Sequence, residues 1–408
     1  MRSPMTRVRT LAARATMVAA AFAAAATAPA RAAAPTDATP SPAPIAGDAP
    51  RRPVDYLWVV RTSLLEPAAV ESVVARAQAM GVRGLLVQVV GRGDAYYRSE
   101  LLPRPEALRL EGYDPLGHLL PLAHAAGLEV HAWVNGLLVW SGPRPPRDPR
   151  HVLNAHPEWV ARLRDGRRLS ALSARARARL GLEGVFLAPA HPGVRTWLAR
   201  VVREVATRYP VDGVHLDYVR QPGVEVGFDP TTRALFALRH GADPARFAVL
   251  PAAERAALEA RWRHFQREQI TALVAEVRDS LAAARPGLPL SAAVLADTAT
   301  AHRVNAQPWG DWLRDGLLDR VFVMCYAPDV QIVLDQLVAY AGRHGTGGRL
   351  VPGIAAYNTP PAAAAAKILG ARALGFPALA LYSYDTLTAQ PDYWRRLRDG
   401  IAAHAAPR

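Results

Sequence analysis

The stretch "VDGVHLDYVR", residues 211–220, sets Asp212, His215, Asp217, Tyr218 and Arg220 among Val211, Val214, Leu216 and Val219. Side chains alternate along a strand. Gly213, His215 and Asp217 therefore share one face, and Val214, Leu216 and Tyr218 share the other. An apolar side that meets helices and a second side that fills an interior describe a buried parallel strand. His215 is then enclosed, Asp217 stands one layer above it at the strand's end, and Asp212 ties the turn into the strand. Gly213 leaves room underneath.

Seven more runs of this kind flank that one: "VDYLWVV" (54–60), "GLLVQVV" (84–90), "LEVHAWV" (128–134), "LPLSAAVL" (288–295), "DRVFVMC" (319–325), "RLVPGIAA" (349–356) and "PALALYS" (377–383). Segments with helical periodicity separate them. "EPAAVESVVARAQAMG" has Pro67 suited to a first helical turn and Gly81 to a stop; "DPLGHLLPLAHAAG" offers Asp114 as an N-cap. Eight strand–helix units predict an α/β fold, a (β/α)8 TIM barrel, with enlarged loops after strands 2 (91–114), 3 (135–190) and 4 (217–253). A doubly wound open sheet is disfavoured because no G-x-G-x-x-G follows the first strand. Residues 160–180, "VARLRDGRRLSALSARARARL", are expected to be an exposed basic insertion walling one side of a cleft.

The chain has 408 residues and a formal net charge of +14. Nearly all its cations are arginines, Lys367 being the only lysine, and they are scattered. This is a compositional habit or an attraction to anionic cell-envelope polymers; no basic run marks a nucleic-acid site. Cys325 is the only cysteine, which excludes intramolecular disulfides and cysteine zinc clusters, and its apolar setting predicts a packed thiol. The pair His118/His124 and "HVLNAH" (151–156) lack a third ligand at useful spacing, so neither metal nor other cofactor is expected.

Residues 1–32 carry early arginines, an apolar run from Ala15 to Ala28, and small residues at Ala28, Ala30 and Ala32. These are the marks of a signal peptide, too short for a spanning helix. Residues 33–53 are a Pro/Ala-rich linker expected to be disordered, and 54–405 a single barrel domain. The protein is expected to be exported, periplasmic or extracellular. N-terminal sequencing of exported protein should start near Arg31 or Ala33; Met1 retained on cytoplasmic protein would contradict this.

The residues from Asp55 to Asp385 resemble the glycosyl-hydrolase-like family 10 proteins, exported bacterial barrels. The strongest element is "VDGVHLDYVR" after "VREVATRYP"; "VQVVGRGDAYYRSELLP", "DPLGHLLPLAHAAGLEVHAWVN", "HPEWV", "DWLRDGLLDRVFVMCYAPD" and "VPGIAAYN" accompany it. The resemblance implies an exported glycoside hydrolase acting on a polysaccharide, with a cell-envelope amino-sugar glycan as one candidate. Many members of the family carry a second Asp where this chain has Tyr218. That departure sustains an alternative, a non-catalytic glycan-binding barrel that has lost one acid.

In this fold chemistry sits at the C-terminal ends of the strands. Asp217 is the first catalytic candidate, its alternative use being a salt bridge to Arg220 at the rim. Glycoside hydrolysis ordinarily takes two carboxylates. Asp297, after the neighbouring fifth strand, is the expected partner, ahead of Asp94, Asp329 and Asp385. Substrate-assisted hydrolysis of an N-acetylated sugar would need fewer. Trp133, Trp140, Tyr326, Tyr357 and Tyr384 lie at or past strand ends, where rings suit the C–H faces of sugars. Gln88, Asn135, Asp94, His215 and Arg220 complete the expected substrate-binding set.

Overall fold

The computed structural model describes residues 52–405; the expected leader and residues 33–51 of the expected linker lie outside the described residues. Eight strands form a closed barrel: β1 (Tyr56–Val59), β2 (Gly84–Val90), β3 (Glu129–Asn135), β4 (Gly213–Asp217), β5 (Leu290–Leu295), β6 (Arg320–Cys325), β7 (Leu350–Ala355) and β8 (Ala380–Tyr382). Every pairing is parallel and between neighbours in sequence, with β8 closing on β1. Each strand coincides with one of the eight expected runs, β3 continuing one residue past its run to Asn135. β-branched and leucine-rich segments buried on both faces are what a parallel barrel selects.

The faces sort as alternation demands. Val214 and Leu216 pack outward in the main core between strands and helices. Inside, Tyr56, Trp58, Leu86, Trp133, Phe322 and Val351 fill the barrel. Gly213 is needed because a Cβ there would collide with the His131 ring. The helix Pro67–Met80 begins on its proline and stops at Gly81, whose φ of 67° places it in the left-handed region. Asp114 caps Pro115–Ala125 by accepting the Gly117 N–H. Asp212 accepts the Val130 N–H (2.8 Å) and pairs with the His124 ring, tying the turn into β4. Cys325 is a buried free thiol.

All three long loops are present, and they build the mouth. After β3, Leu138–Trp140 pairs antiparallel with Val185–Phe186. Sequence periodicity gives no notice of this small sheet, since three- and two-residue strands are too short to show a period. The segment 160–180 is less exposed than expected. Leu163, Leu169 and Leu172 are buried, and Arg177 folds inward to donate to the Leu172 (2.6 Å) and Gly142 (2.8 Å) carbonyls. After β4, Phe228, Phe236, Phe247, Leu258, Trp262 and Phe265 form a satellite core that seats the loop against the 33-residue helix Ala252–Ala284. No helix among the described residues is long and apolar enough to cross a membrane.

Candidate active site

Asp217 is the last residue of β4 and only 8% exposed. One carboxylate oxygen, Oδ1, accepts the Tyr218 N–H at 2.7 Å. Burial pushes its carboxyl up to about 6, and the Glu183 charge adds to the rise. Arg220, the Tyr218 N–H and Arg92 pull the other way without cancelling it. A carboxylic acid held part-protonated near neutrality can deliver a proton to a leaving oxygen.

Directly beneath, Trp58 Nε1 donates to His215 Nε2 (3.2 Å), and His215 Nδ1 lies 3.0 Å from the Ser291 hydroxyl. Indole can only donate, so Nε2 accepts and the ring proton sits on Nδ1. Burial keeps this histidine neutral by driving it well below its ordinary value. His215 is a neutral post under the floor and does not line the cleft.

Above the floor opens a cleft of about 710 Å³. Its aromatic lining comes from Trp58, Trp133, Tyr326, Tyr357 and Tyr382. These rings touch in series: Trp58 to Tyr326 and Tyr382, and Tyr357 to both tyrosines, at centroid separations of 6.0–6.4 Å. Trp133 Nε1 is buried with no partner. A cleft of this size with aromatic walls and a few polar groups suits a saccharide.

The structure brings only some of the expected residues together. Asp217, Gln88, Trp133, Arg220, Tyr326 and Tyr357 line the cleft. Asn135 supports it from below, accepting from Gln88 Nε2 (3.2 Å) and donating to the Gly91 carbonyl (2.7 Å). Asp94 holds the β2 loop by accepting the Arg92 N–H at 2.8 Å. Trp140 donates to the Arg144 carbonyl and packs on His151, away from the cleft.

The expected partner Asp297 is not across the pocket. The chain has already turned outward past Leu295, and the exposed Asp297 carboxylate caps Thr298–Arg303 by accepting the Thr300 N–H (2.6 Å). That backbone bond holds its carboxyl below the usual range. Asp329 does the same for Val330–His344 through the Ile332 N–H. Tyr384 is also displaced: β8 ends at Tyr382, the helix Tyr384–Ala389 begins at once, and alternation no longer applies. Tyr382 takes the cleft position, while Tyr384 is buried in the outer core.

Two other carboxylates do line the cleft. Asp385 is spent on the β1 loop, accepting from Val60 N (3.1 Å), Ser63 Oγ (2.6 Å) and Thr62 Oγ1 (3.4 Å). Glu183 stands two residues before Val185–Phe186, so the small antiparallel sheet delivers it to the mouth. It is paired with Arg220 at 2.7 Å, and its side chain remains 47% exposed. Glu183, Arg61, Arg92, Trp58 and Tyr382 are among the cleft residues that strand-end reasoning misses. Of these, only Trp58 and Tyr382 carried a signal, their places in the apolar runs 54–60 and 377–383.

The raised Asp217 carboxyl has a consequence for stability. Its folded value of about 6 lies above the ordinary 3.8, so the fold favours the neutral form. That contribution is whole below about pH 4 and is lost as pH rises through about 6. Asp217→Asn cannot ionise and should exceed the parent in stability at pH 8 by up to about 3 kcal/mol, with no gain near pH 4. Denaturant titrations at the two pH values measure this. A variant that loses stability at pH 8 would make Asp217 a rim salt-bridge residue.

A closed parallel barrel with a buried acid in an aromatic cleft at its C-terminal mouth has the build of a glycoside-hydrolase-type protein. Residues 55–360 match the glycosyl hydrolase-like 10 family, and the chain belongs to that family. Glycosyl hydrolase DigH of Escherichia coli (strain K12) is 26% identical over 283 residues, 62% of this chain and 56% of that protein. Glycosyl hydrolase YngK of Bacillus subtilis (strain 168) is 26% identical over 216 residues, 51% of this chain and 36% of that protein. The chain thus spans about half the length of DigH and less of YngK. Among solved structures, the PgaB (BpsB) glycoside hydrolase domain from Bordetella bronchiseptica superposes with a TM-score of 0.63 at 17% identity, covering 85% of this chain and 98% of that one. Alpha-L-fucosidase isoenzyme 2 from Paenibacillus thiaminolyticus gives 0.60 at 15%, covering 87% and 49%. Both share the barrel fold.

Proposed function

We propose that this protein is an exported glycoside hydrolase that cleaves a polysaccharide, with a cell-envelope amino-sugar glycan as the first substrate to try. The observation that carries this reading is Asp217, a nearly buried acid raised to about 6 at the floor of an aromatic cleft. In the reaction Asp217 gives its proton to the glycosidic oxygen as the bond to the anomeric carbon breaks. Glu183 serves as the opposing carboxylate, either attacking that carbon or taking a proton from the water that does. Arg220 bridges the two acids, paired with Glu183 and lowering Asp217 through its charge. The rings of Tyr326, Tyr357 and Tyr382 pack against sugar faces, while Gln88, held by Arg61 and Asn135, steadies the floor.

A second reading keeps one specific observation in its favour. Tyr218 stands at the position next to Asp217, and Glu183 is tied up in an ion pair. On that reading the barrel holds glycan without cutting it. Purified protein incubated with peptidoglycan, stem-peptide-free glycan strands and poly-N-acetylglucosamine separates the two, with mass spectrometry of the products. New reducing ends establish the hydrolase. Retention of a glycan on the protein with no cleavage establishes the binder.

A further inference from the structure

The charges of the cleft are not evenly satisfied. Its three carboxylates are all engaged: Asp385 by the β1 loop, Glu183 by Arg220, and Asp217 by the Tyr218 N–H and its own burial. Arg61 and Arg92 line the same cleft, and their guanidinium groups bond only neutral partners. Arg61 Nη1 donates to the Gln88 amide oxygen (2.8 Å), and its side chain also reaches the Tyr96 hydroxyl. Arg92 Nε donates to the Ser141 hydroxyl (2.8 Å) and Nη1 to the Gly91 carbonyl (3.1 Å). Neither makes a salt bridge among the described residues.

Both arginines are half-buried and each feels the other. Burial and then the Arg61 charge push Arg92 below its ordinary value; Asp217 and Asp94 act on it through space less strongly than Arg61 does. Tyr218 stands between two guanidiniums, with the Arg220 carbon 4.9 Å and the Arg92 carbon 5.9 Å from its ring centre. The ring offers those cations a π face but no counter-charge, and burial keeps its phenol protonated. Tyr218 holds this place with φ at 55°, a conformation uncommon for an aromatic residue and one that strains the backbone. Partly desolvated like charges without a counter-ion are costly unless a ligand brings one.

We propose that Arg61 and Arg92 form a subsite for an anionic substituent, a carboxylate or sulfate carried by the sugar seated beside Asp217, so that the polysaccharide of this cleft is an acidic one. The inference rests on the glycan reading of the site and narrows it. A guanidinium presents a planar fork of donors that matches such oxyanions, and the Gln88 and Ser141 bonds fix the two forks in place. Neutral polysaccharides would leave both cations uncompensated under the sugar.

The test uses an array of acidic saccharides, each matched with its own methyl ester or desulfated form. It is probed with the purified protein and with Arg61→Gln, Arg92→Gln and Tyr218→Asp. The acidic member of at least one pair should bind about tenfold tighter or better, and this advantage should shrink as salt is added. Uronic-acid pairs and sulfated pairs tell which anion is taken. Each arginine variant should cut the acidic-to-neutral ratio at least about fivefold. Tyr218→Asp should cut it too, by setting a carboxylate between Arg92 and Arg220 while both arginines remain. Equal binding of acidic and neutral members, an unchanged ratio in all three variants, or no acidic saccharide bound would overturn the subsite. Acidic saccharides bound but never cleaved would keep the subsite and remove the hydrolase. Cleavage confined to neutral glycans would do the reverse.

Discussion

Asp217→Asn should lower turnover of a cleaved glycan by a few hundredfold or more, since a positioned proton donor commonly contributes about 10²–10⁴. The substitution is nearly isosteric, the Tyr218 N–H keeps an acceptor, and the variant should be the more stable one at pH 8. Loss of rate therefore cannot be assigned to loss of fold. The pH profile adds a second signature. A general acid works only while protonated, so kcat/KM of the parent should fall above about pH 6, about tenfold per unit. Asp217→Asn should have no such alkaline limb. Full activity of the variant on a substrate the parent cleaves would remove Asp217 from the chemistry.

Asp217 could be picked out of the sequence because a strand enforces alternation, and five consecutive residues of β4 obey it. The same logic placed Gln88 and Trp133 on the right strands, even though the β2–β3 pairing shifts register between Gln88 and Val90; Asn135, expected in the loop after the third strand, is the last residue of β3. It failed where the chain leaves the barrel. Asp297 and Asp329 follow their strands at the spacing a catalytic acid would have, and both are helix N-caps. The letters did hold a warning: an Asp directly before a helical segment is the preferred capping residue. Geometry one turn further on, set by where the helix starts, decides between the two uses.

Glu183 was out of reach for a different physical reason. It sits in "GLEGVF", inside a long loop whose strands have three and two residues, where no periodic pattern can form. Its place at the mouth depends on non-local contacts: Leu138 with Phe186, Trp140 with Val185, and the Ala161 N–H with the Phe186 carbonyl. Arg61 and Arg92 are likewise loop residues, one after β1 and one after β2. The barrel could be foreseen from local patterns because its strands lie in buried apolar runs that recur between helical segments. Much of the polar lining of its mouth could not, because loops are placed by what they pack on.

The second large effect expected is at Glu183. If it is the carboxylate opposite Asp217, Glu183→Gln should also reduce kcat by at least about a hundredfold. The amide keeps a hydrogen-bond acceptor for Arg220, so the rim should hold its shape while the base or nucleophile is lost. A purely structural Glu183 would behave otherwise, with Gln nearly as active as the parent. Glu183→Ala opens space beside Arg220, and added azide or formate should restore part of the rate by standing in for the missing carboxylate. Asp385→Asn supplies the contrast. Asp385 accepts from Val60, Thr62 and Ser63, so its replacement should loosen the β1 loop and lower thermal stability with a much smaller loss in kcat. If instead Asp385→Asn abolishes turnover in a folded protein and Glu183→Gln does not, the second acid is Asp385, and the loop it holds is part of the catalytic apparatus.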